Sequence, residues 1–192
     1  MKLIMKLFVV ILLLLAPSVF ADELFFADFE NGSLINWNLT SLAGANNWTA
    51  STLNPFAGTY HAQSQPMSTN EPASVMERRI STVGYTSINV GYYRRLIGLD
   101  IADEFKVKWF DGTTWTLLEQ TGSGSANDAS YVVKTFTLPT RANNNPNFKI
   151  RFECTAGAVS EFCRVDNINI SAASAPTGFY TYKFNTIGLL ND

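Results

Sequence analysis

Histidine, cysteine and charged residues are scarce in this chain of 192 residues, and their scarcity excludes several kinds of chemistry. His61 is the one histidine, so a serine triad would depend on it, and no Gly-x-Ser-x-Gly motif marks a nucleophile. A zinc site is excluded as well, because the two cysteines are better used in a bridge. Carboxylates for glycoside hydrolysis are available at Asp103, Glu104 and Glu119, but nothing places two of them across a cleft. We therefore predict no catalytic residues and a protein that is not an enzyme.

The charge balance excludes nucleic acid as a partner. There are 14 basic and 16 acidic residues, a formal net charge of −2, and the basic residues form no run. Aromatic residues reach 13%, and Asn, Ser and Thr are abundant. This composition is typical of extracellular β proteins.

The N-terminus predicts export. Lys2 and Lys6 precede a short apolar run at residues 8–15, and Val19-Phe20-Ala21 fits a signal-peptidase site, so we predict a signal peptide at residues 1–21. No second long apolar segment follows, so we expect no membrane insertion after cleavage. An uncleaved anchor is the alternative. Four N-glycosylation motifs agree with a secreted or cell-surface protein, and they begin at Asn31, Asn38, Asn47 and Asn169.

Short strand-like runs recur along the chain, separated by turn signals, and no amphipathic helical pattern appears after the N-terminus. The eight predicted strands cover residues 24–29, 74–80, 86–95, 104–110, 114–120, 131–138, 147–154 and 163–170. Their spacing predicts an all-β fold, an antiparallel jelly-roll β-sandwich at residues 22–171. Segments 36–72, 121–130 and 139–147 are rich in Gly, Asn, Pro and Ser, which predicts loops or short edge strands.

One hairpin is predicted in detail. Asp111-Gly112 separates two alternating runs, and this dipeptide favours a tight turn. We expect Phe105, Val107 and Trp109 to share the buried face of the first run.

The C-terminal residues 172–192 form a linker-like stretch followed by one more alternating run at residues 179–185. This run is expected to pack on its own sandwich or to be the stub of a further domain. The alternative is donation of the strand to a neighbouring molecule, which would make residues 179–185 a self-association site.

Cys154 and Cys163 are predicted to form a disulfide, since two cysteines in an exported chain most simply pair. They lie at the ends of two predicted strands. If those strands pair antiparallel, the bridge closes the mouth of a hairpin.

Acidic side chains near both ends of the predicted domain suggest a structural Ca²⁺ site. Asp28 and Glu30 share a face if their segment is a strand, and Asp166 joins them if the first and last strands are neighbours. Carboxylate oxygens are the ligands that Ca²⁺ prefers. The equal alternative is that all three are surface carboxylates near turns.

Aromatic and guanidinium side chains supply candidates for glycan binding, since sugars bind to aromatic faces and to polar groups on rigid scaffolds. Trp37, Tyr93, Trp109 and Trp115 are expected in the core, because sandwiches bury aromatic residues. The predicted ligand-binding residues are Trp48, Tyr60, Tyr92 and Arg94. Trp48 lies among polar residues in a predicted loop, where we expect it to be exposed.

Several motifs together resemble MAM-type domains and related concanavalin-like jelly rolls. Residues 26–32 (FADFENG), Trp37, the Gly58-Thr-Tyr60 segment, residues 88–93 and Val165-Asp-Asn-Ile168 follow the order of that family. The family's cysteines beside the opening acidic motif and the tryptophan are missing here. Galactose-binding-like carbohydrate-binding modules are the neighbouring family, and the motifs are similar to those as well.

The resemblance implies an antiparallel jelly roll, a role in adhesion or ligand binding, and a Ca²⁺ whose ligands map to Asp28, Glu30 and Asp166. We therefore expect a secreted recognition module that binds an extracellular glycan or a surface protein. The alternative is a structural subunit of an extracellular polymer, assembled through the C-terminal strand.

Overall fold

The computed structural model describes residues 21–42, 44, 46–122 and 126–174. The predicted signal peptide, as far as residue 20, and the predicted strand at residues 179–185 lie outside this part of the chain, and both stay predictions. Among the described residues, none forms a helix long and apolar enough to span a bilayer.

Two antiparallel sheets make up the fold, which confirms the predicted β-sandwich. The first sheet has the order β3-β4-β11-β6-β9, and β1 also pairs with β11; the second has the order β2-β5-β10-β7-β8. The first sheet contains β1 (Ala21–Ala27), β3 (Thr49–Ser51), β4 (His61–Ser64), β6 (Tyr85–Ile97), β9 (Val132–Thr137) and β11 (Phe162–Ser174). The second contains β2 (Asn38–Ser41), β5 (Ser74–Arg79), β7 (Glu104–Phe110), β8 (Trp115–Thr121) and β10 (Lys149–Thr155).

Each of the eight predicted strands is present, and three more occur in the segment expected to hold loops or edge strands. These three, β2, β3 and β4, are only three or four residues long and lack a strong alternating pattern. β4 is not an edge strand, because it lies between β3 and β11. β11 continues to Ser174, beyond its predicted end at residue 170.

The predicted hairpin is confirmed by the antiparallel pairing of β7 with β8. Phe105, Val107 and Trp109 are completely buried. Gly112 takes a positive φ of 97°, whereas Asp111 closes the turn by accepting hydrogen bonds from the backbone N–H groups of Thr113 and Thr114. These bonds hold the pKa of Asp111 well below its usual value.

Alternation along β6 and β11 decides which side chains fill the space between the sheets. In β6, Ile88, Val90, Tyr92, Arg94 and Leu96 are buried, and the residues that alternate with them are not. β11 interrupts its alternation with a bulge after Asp166, where Asn167 takes a left-handed φ of 45°. The bulge allows Val165 and Ile168 to face the same core, although three positions separate them.

The predicted disulfide between Cys154 and Cys163 is present, with an S–S distance of 2.01 Å. Its predicted location is wrong, because β10 and β11 do not pair. β10 belongs to the second sheet and β11 to the first, so the bridge joins the two sheets across the core. Both cysteines are completely buried.

We predict that the Cys154→Ala, Cys163→Ala double variant folds with a free energy of unfolding lower by about 2–3 kcal/mol, because the bridge restricts the unfolded chain. Urea denaturation monitored by circular dichroism measures the difference. Reductant should lower the stability of the wild type and leave that of the double variant unchanged. Equal stabilities of the oxidised wild type and the variant would contradict the prediction.

Candidate functional site

A loop of residues 52–60 crosses the outer face of the first sheet, and two carboxylates hold its backbone in place. Asp166 accepts hydrogen bonds from the N–H groups of Phe56, at 3.0 Å, and Ala57, at 3.3 Å. Glu30 accepts bonds of 2.9 Å from the N–H groups of Thr59 and Tyr60. Asp166 of β11 and Glu30 of the turn after β1 thus determine the path of a loop that is distant from both in sequence.

Close contact with Glu30 explains the glycine at position 58. Gly58 has a φ of 62°, and a Cβ atom built there would lie 2.4 Å from the Glu30 carboxylate. A side chain at this position would be strained and would also displace the carboxylate. The Gly-Thr-Tyr segment is therefore required by the way in which Glu30 binds the loop.

Phe56 is an exposed aromatic residue of this loop, and its ring stacks on the sheet. Its ring centroid is 3.6 Å from that of Tyr93, with an interplanar angle of 15°, and 5.7 Å from that of Tyr131. Phe56 keeps 40% of its surface exposed. The Tyr131 hydroxyl donates to the carbonyl of Asn54 at 3.2 Å, which anchors the loop at one more point.

Two arginines lie beside these aromatic rings. Arg95 of β6 and Arg164 of β11 are direct cross-strand partners. Arg164 donates to the Gln63 side chain at 2.8 Å, and Arg95 donates to the carbonyl of Asp128 at 3.3 Å. Burial lowers the pKa of Arg164, and the positive charge of Arg95 lowers it further. We call the surface formed by Phe56, Tyr93, Arg95 and Tyr131, with the buried Arg164 (3% exposed) beside them, the aromatic face.

Tyr92 and Arg94, predicted as ligand-binding residues, face the opposite way, so the prediction of accessible side chains at these positions is wrong. Both are buried between the sheets. Arg94 Nε donates to Glu119 at 2.7 Å, and a second guanidinium nitrogen binds Asp128. The Tyr92 hydroxyl donates to Glu119 at 2.5 Å, and burial followed by the charge of Glu119 raises the pKa of Tyr92. The next residues in the strand, Tyr93 and Arg95, are the ones on the aromatic face.

The expectation that Trp48 is exposed is also wrong, because only 1% of its surface is accessible. Trp48 forms the floor of an open groove of about 600 Å³ at the sandwich edge, beside Leu34, Ile35 and Trp37. Tyr60 is half-buried, and its ring packs against Gly32 at the rim of this groove. As expected, Trp37 and Trp109 are in the core, whereas Tyr93 and Trp115 are half-buried.

The three predicted calcium ligands lie at one end of the sandwich, but their oxygen atoms do not form a three-carboxylate cluster. Within the described residues, the group whose ligand atoms all lie within 4.8 Å is a different one, Asp100, Asp103 and Glu161. Glu30 and Asp166 instead bind the loop, and Asp28 accepts a bond from the Glu30 N–H at 3.2 Å. Burial raises the pKa of Asp166, and the charge of Glu30 raises it further. A Ca²⁺ ion at this place stays a prediction.

The predicted glycosylation sites differ in accessibility. Asn31, Asn38 and Asn47 are exposed. Asn169 is half-buried in β11, where its amide nitrogen donates to Glu23 at 2.9 Å. The first three asparagines are therefore the more accessible acceptors.

No model of a known protein family matches this sequence, and no curated protein matches it. Solved structures do resemble its fold. The K3 cleaved adhesin domain of Lys-gingipain from Porphyromonas gingivalis w83 has a TM-score of 0.57 at 16% identity, covering 79% of this chain and 98% of that domain. The resemblance establishes the shared sandwich fold.

Two further structures of similar fold are described by the sugars they bind. TmCBM61, solved in complex with β-1,4-galactotriose, has a TM-score of 0.53 at 12% identity, covering 74% of this chain and 92% of that chain. The CBM22-1 xylan-binding domain of Paenibacillus barcinonensis Xyn10C has a TM-score of 0.54 at 15% identity, covering 81% and 97%. At these identities the neighbours establish the shared fold, and none of the comparisons confirms the MAM-type resemblance.

Because side chains alternate in β6, replacing its two adjacent arginines should reduce stability by different amounts. Arg94→Ala leaves the buried Glu119 with Lys134 as its remaining basic partner, so we expect the free energy of unfolding to fall by about 2–3 kcal/mol. Arg95→Ala removes a half-buried side chain with one backbone hydrogen bond, so we expect a loss of about 1 kcal/mol or less. Urea denaturation of both variants tests this, and the assignment fails if Arg95→Ala is the more destabilising.

His61 predicts a pH dependence of stability. Burial lowers the pKa of His61 from 6.5 to about 4, and the positive charge of Arg164 contributes in the same direction. As the pH falls below 6.5 the unfolded chain binds a proton that the folded chain does not, so stability falls until about pH 4 and then levels off. In His61→Gln this contribution is absent. Urea denaturation from pH 7.5 to 3.5 should show the wild type losing stability relative to the variant between pH 6.5 and 4, and parallel curves would refute the assignment.

Proposed function

We propose that this chain is an exported, non-catalytic carbohydrate-binding module that holds its ligand on the aromatic face. The observation that carries the proposal is the exposed ring of Phe56, stacked on Tyr93 and flanked by Arg95 and Arg164. The carbohydrate-binding structures of the same fold support it, since non-catalytic sugar binding is a common use of this sandwich among them.

The chemistry of this surface suits a sugar. Aromatic rings offer an apolar platform for the C–H face of a pyranose, and guanidinium and amide groups donate hydrogen bonds to its hydroxyls. Phe56 provides a partly exposed ring, and the half-buried Arg95 and Gln63 place donors beside it. Arg164 is buried and orients Gln63 through their hydrogen bond. The loop is held by Glu30, Asp166 and Tyr131, so little conformational entropy is lost when a ligand binds.

The arginine pair favours an acidic sugar over a neutral one. Like charges directly opposite each other on neighbouring strands repel. Arg95 and Arg164 are such a pair, and neither forms a salt bridge with an acidic side chain in the described part of the chain. A carboxylate on the ligand would relieve this repulsion and accept hydrogen bonds from guanidinium groups.

Other features support export and a structural ion. The predicted signal peptide, the three accessible glycosylation motifs and the disulfide all fit an oxidising extracellular environment. A Ca²⁺ ion near Glu30 and Asp166, with Asp28 close by, would offset the repulsion that raises the pKa of Asp166. In that position the ion would strengthen the attachment of the loop that carries Phe56.

We expect Phe56→Ala to weaken glycan binding by about tenfold or more, which corresponds to ~1.4 kcal/mol, because the stacking platform is lost. A glycan array identifies the ligand, and isothermal titration calorimetry then measures its affinity. Neutral xylo-oligosaccharides, β-1,4-galacto-oligosaccharides and glucuronic-acid-bearing oligosaccharides serve as defined probes.

Ile35→Ala is the matched control, because it removes an exposed apolar side chain from the groove above Trp48. It should bind with the affinity of the wild type. Loss of binding in Ile35→Ala with full binding in Phe56→Ala would place the site in the groove instead. Absence of binding to any glycan would contradict the proposed function.

A further inference from the structure

Two loops at one end of the sandwich cross from one sheet to the other and meet there. Residues 98–103 lead from β6 in the first sheet to β7 in the second, and residues 156–161 lead from β10 in the second to β11 in the first. The first loop carries Asp100 and Asp103, and the second carries Glu161. One ligand oxygen from each of these three carboxylates lies within 4.8 Å of the other two.

Two carboxylates of the cluster are buried without a basic partner among the described residues. Asp103 is 1% exposed and Glu161 is 6% exposed, whereas Asp100 is exposed. Three other buried acids have basic partners, which are Lys149 and Arg151 for Glu77, Arg94 and Lys134 for Glu119, and Lys108 and Arg151 for Glu153. The buried Asp166 has no basic partner in these residues either, but three backbone N–H groups donate to it. Across residues 21–42, 46–122 and 126–174, no basic side chain forms a salt bridge with Asp100, Asp103 or Glu161. Residues 123–125 are Ser, Gly and Ser, so they supply no positive charge.

One oxygen of the cluster is also left without a hydrogen bond. Asp103 Oδ2 accepts a bond of 2.9 Å from the Asp100 N–H, but the buried Oδ1 has no partner. This Oδ1 is directed towards the second loop, where a Cβ atom built on Gly157 would lie 3.9 Å away. A buried carboxylate oxygen without a partner costs free energy unless something binds it.

Glu161 likewise has no basic partner in the described part of the chain. Its carboxylate accepts a 2.6 Å bond from the Ala158 N–H, which favours the charged form. Ligand oxygens of Asp100 and Asp103 lie within 4.8 Å of this carboxylate, so three carboxylates are close together. The cluster is therefore a concentration of negative charge that the described protein does not neutralise.

We propose that Asp100, Asp103 and Glu161 form a site for a divalent cation, Ca²⁺, which joins the two crossing loops. The ligand set is oxygen only, as Ca²⁺ prefers, and the ion would satisfy Asp103 Oδ1. The site is separate from the aromatic face and from the calcium position predicted at Asp28, Glu30 and Asp166. It requires no bound sugar.

The experiment is isothermal titration calorimetry of the metal-free full chain with CaCl₂, together with thermal denaturation in EGTA and in excess CaCl₂. The wild type should bind Ca²⁺ and melt at a higher temperature with it. Asp103→Asn and Glu161→Gln should each lose one equivalent of bound Ca²⁺. In EGTA both should melt at or above the wild-type temperature, because one of the mutually repelling charges is gone.

Glu104→Gln is the matched control, since it removes a neighbouring negative charge that already has Lys106 as its partner. It should keep the wild-type stoichiometry. Asp166→Asn tests the calcium position predicted at Asp28, Glu30 and Asp166. If an ion binds there, this variant loses that ion and keeps the one at the crossing loops. The proposal is overturned if the wild type binds no Ca²⁺ or if Asp103→Asn and Glu161→Gln retain the wild-type stoichiometry and melting shift. Lower melting temperatures of both variants in EGTA would point to a purely structural hydrogen-bonding role and would also overturn it.

Discussion

The carboxylate of Asp166 is the interaction on which the proposed binding surface depends. It is completely buried, yet it comes from the outer side of β11 and accepts hydrogen bonds from three backbone N–H groups, those of Phe56, Ala57 and Asn167. Most residues of this loop are exposed, so it buries little apolar area with which to fix itself to the sheet. Asp166 and Glu30 supply the missing attachment, and the result is a fixed position for Phe56 above Tyr93.

The sandwich itself requires attachments between its sheets in addition to apolar packing. One edge is joined by Arg94 of β6 and Glu119 of β8, with Tyr92 as a third partner. One end is joined by the disulfide between β10 and β11. The carboxylates of the two crossing loops lie at this end as well, since the β10–β11 loop that carries Glu161 is closed by the same disulfide. If the proposed cation binds there, it adds a further link between two loops that cross from one sheet to the other.

The sequence was sufficient to predict the fold class, the eight principal strands, the Asp-Gly hairpin and the disulfide pairing, because each has a strong local signal. Period-two alternation and turn dipeptides are properties of neighbouring residues. The direction of each face is not local, so Tyr92 and Arg94 were predicted as accessible when Tyr93 and Arg95 are. Arg94 faces inwards because its partner Glu119 is buried there. No pattern in the sequence links Glu119 to β6. The same reasoning applies to the disulfide, whose two strands belong to different sheets.

Loop residues were the hardest to predict. Trp48 has polar neighbours in sequence but is covered by tertiary contacts, whereas Phe56 was not singled out because its importance comes from Tyr93 and Asp166. Asp103 was considered only as a carboxylate for hydrolysis, and it meets Asp100 and Glu161 only through the crossing of two loops. Such juxtapositions depend on sheet order, which strand propensity alone does not specify.

Amide hydrogen exchange measured by NMR tests the attachment of the loop most directly. We expect the amide protons of Phe56 and Thr59 to exchange slowly in the wild type, although the loop lies at the surface, because carboxylates accept their hydrogen bonds. In Asp166→Asn the protection of Phe56 should fall, while the amides of β6 stay protected. Rapid exchange at Phe56 and Thr59 in the wild type, at the rate of an unstructured segment, would contradict the account.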